Sequence, residues 1–459
     1  MKSSRRQFLT SLSMLAASTA MPLSAFSFGK PEKLKVVLVG TGIRGYLFWG
    51  RRLTTYYTEI TEFVGLCDIN PGRMEYVKKE LGLSCPTFSD FEQMIKETGP
   101  DLVIVTTRDS NHHEFIIKGL DMGCDVITEK PLTIDEHKAQ AVIDAERRSG
   151  KNLIIGFNAR WLPYNTKIKE LLMQNTIGEI RSVDHNYYLN TDHGASYFRR
   201  WHGLRQHSGT LLVHKSTHHL DRINWWIDSD PEEVYAYGAL EHYGPAGPFR
   251  GDNCRSCPHK DECKFFWDIT KDDLSMRLYV DHEEHDGYIR DNCLFREEIN
   301  IYDKMSLQVK YKNGAVLNYS LIAYSPYEGW RVTINGTKGR IEAWMDIPLI
   351  DDLIENQEGM DEDDLRSDSL TVHKLWEDDY ETISVPRKTG GHGGADPMMT
   401  DKIFKNPEVR DPFDRAAGVR DGAMSMLIGV AARKSIESGK LIKIAELTDL
   451  EPRAKRILT

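Results

Sequence analysis

The sequence lacks an excess of positive charge, a second long apolar run and any internal repeat. Its 59 Lys and Arg residues are outnumbered by 69 Asp and Glu residues, which gives a formal net charge of −10 at pH 7. Polyanions attract proteins of opposite charge, so this balance argues against nucleic acids and anionic membrane surfaces as partners. The apolar segment at residues 9–25 is too short and too rich in Ser and Thr to span a bilayer stably. The sequence therefore predicts no nucleic-acid partner and no stable membrane span.

What the sequence does contain is typical of a globular enzyme. Hydrophobic residues make up 40% of the chain and aromatic residues 10%. A single hydrophobic core rarely grows beyond about 250–300 residues. The 459 residues are therefore expected to form two domains.

The N-terminus has the pattern of an export signal. Arg5 and Arg6 stand between Ser4 and the pair Phe8 and Leu9, and this stretch resembles a twin-arginine leader, which addresses folded proteins for export. A general secretory signal with a chance arginine pair, or a membrane anchor, is the alternative. We expect residues 1–25 to be the signal and the mature protein to work in the periplasm or another extracytoplasmic space.

A glycine-rich turn follows the first predicted strand. The continuous apolar run at residues 34–39 is typical of a buried parallel strand, and it ends in Gly40-Thr41-Gly42-Ile43-Arg44-Gly45. Gly40 permits the tight turn, Gly42 lets the backbone approach a pyrophosphate, and Gly45 allows the next helix to pack on the strand. A second strand ends in Asp68, at roughly the 20-residue spacing expected of an acid that binds the ribose hydroxyls. These features together predict dinucleotide binding.

Asp68 and the alternation of strands with helices refine the prediction of dinucleotide binding. A carboxylate at position 68 repels a 2′-phosphate, so NAD is favoured over NADP, although Arg73 leaves NADP open. Strands continue to alternate with helical patterns to residue 156, which predicts an α/β Rossmann domain over residues 33–156. The strand ends at Thr106 and at Glu129-Lys130 are expected at the carboxyl edge of the sheet, where ligands bind.

Four motifs in this order carry a family resemblance. The glycine turn, Asp68, the SNHHE stretch at 110–114 and TEKPL at 128–132 resemble the family of glucose-fructose oxidoreductase, inositol dehydrogenase and MocA. The resemblance implies that Lys130 stands near the nicotinamide and the reacting hydroxyl, and that Pro131 follows a cis bond. It implies this set of cofactor-binding residues: Gly40, Gly42, Ile43, Arg44, Gly45, Asp68, Thr106, Asn111, His112, Glu129 and Lys130.

A second chemical cluster lies at residues 208–227. Its apolar spacing predicts one helix, on which His214 and His218 share a face. The family pattern HxxD matches His218 to Asp221, which makes His218 a candidate general acid or base. The chain departs from the inositol dehydrogenase pattern at His214, where an aspartate would stand. We retain His214 as a third catalytic candidate beside Lys130 and His218. A zinc ion held by the two histidines is disfavoured because no third ligand is evident.

Arginine and aromatic side chains suggest the substrate class. Guanidinium forks and Trp faces suit a polyhydroxylated or acidic sugar, although a surface loop with ion pairs would explain the arginines equally well. The candidate substrate-binding residues are Arg160, Arg199, Arg200, His202, Lys215 and His218.

The remainder of the chain predicts a second domain. Segments of period two, with turns at Asn313-Gly314 and Lys338-Gly339, read as antiparallel strands. The resemblance implies an α+β domain over 157–441 with an open, mainly antiparallel sheet, and a homo-oligomer, dimer or tetramer. We predict a Cys-rich insertion at 250–295, an acidic insertion at 350–370 and a C-terminal tail at 442–459.

Four of the seven cysteines are clustered. Cys254, Cys257, Cys263 and Cys293 form a C-x2-C-x5-C set with a fourth thiol, which predicts a structural metal site, with zinc first and an iron–sulfur cluster second. Disulfides are the alternative, because an exported compartment oxidises thiols.

Export and nucleotide binding together constrain the function. Free nicotinamide dinucleotides are not expected outside the cytoplasm, so an exported protein must carry its NAD inside and restore it in each turnover. The sequence predicts an oxidoreductase of a sugar or sugar derivative with tightly bound, internally recycled cofactor. A redox-neutral, NAD-dependent glycoside hydrolase is the alternative. A catalytically inactive sugar-binding protein is a further alternative.

Overall fold

The computed structural model describes residues 33–347 and 367–456. The predicted signal at 1–25 and most of the acidic insertion at 350–370 lie outside the described residues. Among the described residues, no helix is both long enough and apolar enough to cross a bilayer.

The N-terminal domain is built on a six-stranded parallel sheet. Its strand order is β3-β2-β1-β4-β5-β6, the order of dinucleotide-binding folds. The strands are β1 Leu34–Val39, β2 Thr61–Cys67, β3 Thr87–Phe88, β4 Leu102–Val105, β5 Asp125–Thr128 and β6 Leu153–Ile155. The helices are α1 Arg51–Tyr56, which continues a π-helical segment at Arg44–Gly50, and α2 Pro71–Glu80, α3 Phe91–Thr98, α4 His112–Asp121 and α5 Glu136–Ser149. The predicted Rossmann architecture is confirmed.

Local sequence explains these elements. Every residue of β4 is buried, because helices cover both faces of the sheet. The continuous apolar run of β4 provides apolar side chains on both of these faces. Asn70, Asp90 and Asp135 each accept a hydrogen bond from the backbone N–H three residues on, and so fix the starts of α2, α3 and α5. Gly99 and Gly150 end α3 and α5 with positive φ angles of 53° and 63°.

The C-terminal domain contains a nine-stranded sheet with helices on one face. The strand order is β14-β13-β12-β11-β7-β10-β9-β8-β15, and β7 with β10 is the parallel pair in this otherwise antiparallel sheet. The strands are β7 Ile180–Asn190, β8 Pro231–Ala239, β9 Lys304–Tyr311, β10 Val316–Ser325, β11 Gly329–Gly336, β12 Gly339–Asp346, β13 Ser367–Lys374, β14 Tyr380–Pro386 and β15 Ile442–Lys443. The helices are α6 Pro163–Met173, α7 Thr191–Arg199, α8 Arg205–Ser208, α9 Leu211–His214, α10 Ser216–Ile227, α11 Asp273–Leu278, α12 Glu283–Asp286, α13 Ala395–Phe404 and α14 Val419–Ser438.

The period-two pattern sets the two faces of this sheet. In β9, Met305, Leu307, Val309 and Tyr311 are buried while the residues between them are exposed. The buried face packs beneath α10 and α14. The implied open, mainly antiparallel sheet is confirmed. The single helix predicted for 211–226 is instead two helices, α9 and α10, which meet at Lys215.

Late segments of the chain bind both domains together. In α13, Ala395, Met399 and Phe404 join a hydrophobic cluster of the N-terminal domain. The hydroxyl of Tyr57 donates to Asp401 Oδ1 at 2.6 Å. Residues 442–456, predicted as a tail, pair with β8 through β15 and bury Ile444.

Candidate active site

A cavity of about 500 Å³ lies between the two domains, at the carboxyl edge of the parallel sheet. It brings together two groups of predicted residues from separate parts of the chain. From the N-terminal domain the lining includes Gly40, Gly42, Ile43, Arg44, Asp68, Thr106, Asn111, His112, Glu129 and Lys130. From the C-terminal domain it includes Arg200, His202, His214, Lys215 and His218.

The glycine turn at one end of the cavity has the geometry of a pyrophosphate cradle. Gly40 has φ +89°, and a Cβ there would lie 2.8 Å from the carbonyl carbon of Thr106. A Cβ on Gly45 would lie 2.2 Å from the carbonyl oxygen of Gly40, so only glycine lets the helix start approach the strand end. Gly42 faces the open cavity, where a side chain would fill the space that a phosphate needs. The residues present fit an NAD pyrophosphate.

Asp68 stands beside this turn at the end of β2. Its carboxylate accepts hydrogen bonds from the backbone N–H of Thr41 at 2.6 Å and from the Thr41 hydroxyl at 2.9 Å. Arg73 lies 3.5 Å from Asp68 and 2.8 Å from Asp286, so two carboxylates compensate its charge. Arg73 is therefore committed to an ion-pair network rather than free to receive a 2′-phosphate.

Lys130 lies where the two halves of the cavity meet. Its Nζ donates to the backbone carbonyl of His214 at 3.2 Å. Enclosure in the cavity wall lowers the pKa of Lys130 to about 8, because desolvation of the ammonium outweighs the attraction of Asp109. The Lys130–Pro131 peptide bond is cis, as the resemblance implied. The His112 ring contacts the carbonyl oxygens of Pro131 at 2.8 Å and of Thr107 at 3.1 Å, and so braces this segment.

Asp109 is a site residue that sequence reasoning missed. Its Oδ2 lies 2.6 Å from Nδ1 of His214, and both side chains are buried. Burial raises the pKa of Asp109 and lowers that of His214, so the imidazole stays neutral near pH 7. A carboxylate from the loop after β4 thus meets His214, at the position where the resemblance implies an aspartate. The sequence contains one signal for this role, because Asp109 stands two residues after Thr107, just beyond the end of a predicted strand.

A histidine cluster forms the substrate half of the cavity. The ring of His202 stacks on Trp201 with centroids 3.6 Å apart, and its centroid lies 4.3 Å from that of His214. Nδ1 of His202 and Nδ1 of His218 are buried without a hydrogen-bond partner. Burial together with nearby cations lowers the pKa of both rings, which are therefore neutral and can donate to or accept from hydroxyl groups.

The structure places two predicted substrate-binding residues outside this cavity. Arg160 is fully buried and bonds Asp221 through two hydrogen bonds of 2.8 and 2.5 Å, so it holds the core together. Arg199 donates to the Cys254 thiol at 2.9 Å and to the backbone carbonyl of Phe265. Neither guanidinium lines the cavity, because Arg160 is bound by Asp221 and Arg199 by Cys254 and Phe265.

The four clustered cysteines line a separate cavity of about 20 Å³. They are free thiols, and no group of three or more His, Cys, Asp or Glu side chains in the described residues is arranged to hold a metal ion. A zinc site needs thiolates about 2.3 Å from one centre. Burial instead raises the pKa of the Cys263 thiol, and the guanidinium of Arg199 contacts Cys254. The predicted zinc or iron–sulfur site at Cys254, Cys257, Cys263 and Cys293 is therefore not supported.

The insertion that carries these cysteines covers the glycine turn. The Tyr279 hydroxyl accepts a hydrogen bond from the backbone N–H of Ile43 at 2.8 Å. The backbone carbonyl of His282 accepts from Asn70 Nδ2 at 2.8 Å, and Asp286 binds Arg73. Residues 273–290 thus form a roof over the nucleotide end of the cavity. Sequence reasoning had assigned this insertion no role at the site.

Comparisons with known proteins identify the family of both domains. The description "Oxidoreductase family, NAD-binding Rossmann fold" matches residues 34–157, and "Oxidoreductase family, C-terminal alpha/beta domain" matches residues 169–444. The chain is 37% identical over 437 residues to the "Putative oxidoreductase YteT" of Bacillus subtilis (strain 168), covering 91% of this chain and 99% of that protein.

More distant similarity extends to named dehydrogenases. The "Inositol 2-dehydrogenase/D-chiro-inositol 3-dehydrogenase" of Lactiplantibacillus plantarum is 24% identical over 204 residues, which cover 44% of this chain and 55% of that protein. The solved structure "Levoglucosan dehydrogenase, complex with NADH and levoglucosan" has a TM-score of 0.62 at 16% identity, covers 90% of this chain and 100% of its own, and shares the fold. The chain therefore belongs to the oxidoreductase family of glucose-fructose oxidoreductase, inositol dehydrogenase and MocA.

Proposed function

We propose that the protein oxidises a hydroxyl group of a sugar or sugar derivative with a tightly held NAD that is recycled inside the protein. The observation that carries this proposal is the position of Lys130, between the glycine turn and the histidine cluster. A lysine with a pKa lowered to about 8 can receive a hydroxyl proton near neutral pH.

The residues divide the chemistry between them. NAD, when bound, supplies the acceptor for the hydride. Lys130 in its neutral form takes the proton from the substrate hydroxyl. His214 lies beside it and is held in one orientation by Asp109 at 2.6 Å. His202 and His218 line the cavity with neutral rings that can exchange hydrogen bonds with the other hydroxyl groups.

The charges around Asp68 favour NAD over NADP. Its carboxylate lies where the ribose hydroxyls are expected, and Arg73 is held by Asp68 and Asp286. The 2′-phosphate of NADP would therefore be repelled by the Asp68 carboxylate, and Arg73 would not be free to bind it.

The roof over the glycine turn supports retention of the nucleotide. Release of NAD would require residues 273–290 to move away from Ile43, Asn70 and Arg73. Retention suits a protein that is exported folded by the twin-arginine route, and we propose that this chain is such a protein and works outside the cytoplasm. Assembly into a dimer or tetramer stays a prediction.

The first prediction concerns the protein as purified, without added nucleotide. We expect a stoichiometric amount of NAD to be released on denaturation, and sugar addition to produce the absorbance of reduced nicotinamide. A second carbonyl substrate should then remove that absorbance. Cleavage of aryl glycosides without net reduction would instead indicate the hydrolase, and saturable sugar binding with neither signal would indicate a binding protein.

A second prediction concerns the Asp109 carboxylate. Asp109 raises the pKa of Lys130 by charge attraction, so Asp109→Asn should lower that pKa and move the ascending limb of the pH–rate profile to lower pH. Asparagine can still hydrogen-bond His214, which separates the charge effect from loss of positioning. Rates of nicotinamide reduction measured from pH 6 to 10 test this. If the ascending limb of the pH–rate profile is the same in Asp109→Asn and the wild type, Asp109 does not influence proton transfer at Lys130.

A further inference from the structure

Two arginines from distant parts of the chain line the cavity between the domains, and neither forms an ion pair with a carboxylate in the described residues. Arg200 follows α7, and its Nε and Nη2 donate to the carbonyl and hydroxyl oxygens of Ser196, both at 2.8 Å. Arg290 belongs to the insertion and lies over the Tyr279 ring, 4.3 Å from its centroid. Its Nε is buried without a hydrogen-bond partner. Among residues 33–347 and 367–456, no carboxylate forms an ion pair with either guanidinium.

Both guanidinium groups line the same cavity. Although burial opposes it, the pKa of Arg290 is raised, because Tyr279, Tyr288 and Asp272 stabilise its charge. Burial and the positive charge of Arg290 lower the pKa of Arg200. Like charges in a partly dry cavity are costly when no counter-ion compensates them.

The carboxylates that line the cavity are all engaged elsewhere. Asp68 and Asp286 bind Arg73, Asp109 binds His214, and Glu129 binds Arg44 at 2.7 Å. None of these four carboxylates is therefore free to pair with Arg200 or Arg290, and a bound anion would supply the charge that the cavity lining does not.

The location of the arginine pair indicates which ligand carries that charge. Arg200 leads directly into Trp201 and His202, and the positive charges of Arg200, Lys130 and Arg290 all act on the His202 ring. The nucleotide pyrophosphate has the glycine turn and the helix start at Arg44 to bind it. Arg290 also belongs to the roof through Tyr279, so the pair lies between the glycine turn and the His202 ring.

We propose that Arg200 and Arg290 form a carboxylate-binding subsite, and that the sugar oxidised at Lys130 is a uronic acid or another sugar that carries a carboxylate. This inference rests on the proposed function, because it takes Lys130 as the point of oxidation. Arginine forks bind carboxylates with two parallel hydrogen bonds, and they do so best where water is excluded. The insertion thereby determines specificity as well as covering the nucleotide.

The test compares matched sugars on the full-length mature protein as purified. D-galacturonate is titrated against D-galactose, and D-glucuronate against D-glucose, with tryptophan fluorescence as the readout because Trp201 stacks on His202. We expect each acid to bind at least about 10-fold more tightly than its neutral counterpart. Arg290→Met and Arg200→Met should each weaken uronate binding by about 10- to 100-fold, and by much more than they weaken binding of the matched neutral sugar.

Three controls keep the outcomes distinct. Arg290→Lys should recover part of the uronate preference, and Arg250→Met, an exposed arginine of the same insertion, should keep all of it. Equal binding of acids and neutral sugars would overturn the subsite. Loss of bound NAD from Arg290→Met with an unchanged uronate preference would also overturn it, and would assign the pair to a nucleotide phosphate. Tighter binding of D-galactose 6-phosphate than of galacturonate would replace the carboxylate by a phosphate.

The proposed function has a separate point of failure. If uronates bind tightly but no sugar yields reduced nicotinamide and no NAD is released, the oxidoreductase proposal fails while the subsite stands. If neutral sugars reduce the nicotinamide as well as uronates do, the subsite fails while the oxidoreductase proposal stands.

Discussion

Lys130→Met should lower the rate of hydride transfer to the bound nicotinamide by about 10²- to 10⁴-fold, the usual contribution of a positioned general base. Methionine fills a similar volume but cannot receive a proton. Because Lys130 has a pKa of about 8, the wild-type rate should rise as pH increases through 8, and this limb should disappear in the variant. Single-turnover absorbance of the purified protein after sugar addition measures both effects.

Two controls accompany this prediction. The NAD released on denaturation should be the same in the variant and the wild type, since the glycine turn and Asp68 are untouched. Lys167→Met alters a surface lysine that pairs with Glu170 at 3.1 Å, and it should retain the wild-type rate and pH profile. A Lys130→Met protein that transfers hydride at the wild-type rate would move the base to another residue, with His218 the next candidate.

Arg160→Met should lower the free energy of unfolding by about 3–5 kcal/mol, the usual cost of removing one partner from a buried ion pair. Arg160 lies 2.5 Å from Asp221 and 3.1 Å from Asp421, and the side chains of Arg160 and Asp221 are each only 1% exposed. Chemical denaturation measures the loss. The double variant Arg160→Met, Asp221→Leu should recover much of it, because no uncompensated charge then remains at position 221.

The size of this loss should depend on pH. Burial raises the pKa of Asp221 to about 6 even with Arg160 present, and removal of the guanidinium raises it further. A carboxyl group whose folded pKa lies above its unfolded value destabilises the protein as pH rises, because the folded state binds more protons. The Arg160→Met deficit should therefore be larger at pH 8 than at pH 5. A deficit independent of pH would mean that lost packing, rather than charge, causes it.

The N-terminal half of the site could be predicted because its signals are local. Gly40, Gly42, Asp68 and Lys130 each follow directly from a strand end, and the fold brings successive strand ends to one edge. The period-two pattern likewise predicted the second domain's sheet, and helical spacing predicted a helix in the region of α9 and α10. The break at Lys215 was missed, because a helical pattern does not reveal where two helices meet.

The remaining site residues depend on contacts between distant segments. Asp109 can be recognised as a site residue only from its contact with His214, which lies more than 100 residues later in the chain. Arg290 lies in an insertion that has no regular hydrophobic periodicity. Arg160 is a predicted substrate-binding residue that the structure instead pairs with Asp221, a contact that the sequence does not show. The cysteine spacing predicted a metal, but spacing alone does not determine where the thiols point.

The roof at residues 273–290 also bears on the order in which the molecule is made. Translation completes the nucleotide-binding fold before the ribosome reaches the segment that covers it, and α13 emerges later still. The glycine turn at residues 40–45 is consequently more accessible to solvent in the growing polypeptide than in the completed protein. The fraction of protein molecules that carry NAD would then depend on the NAD concentration in the compartment of synthesis. It would not depend on the NAD concentration in the compartment where the enzyme binds its substrate.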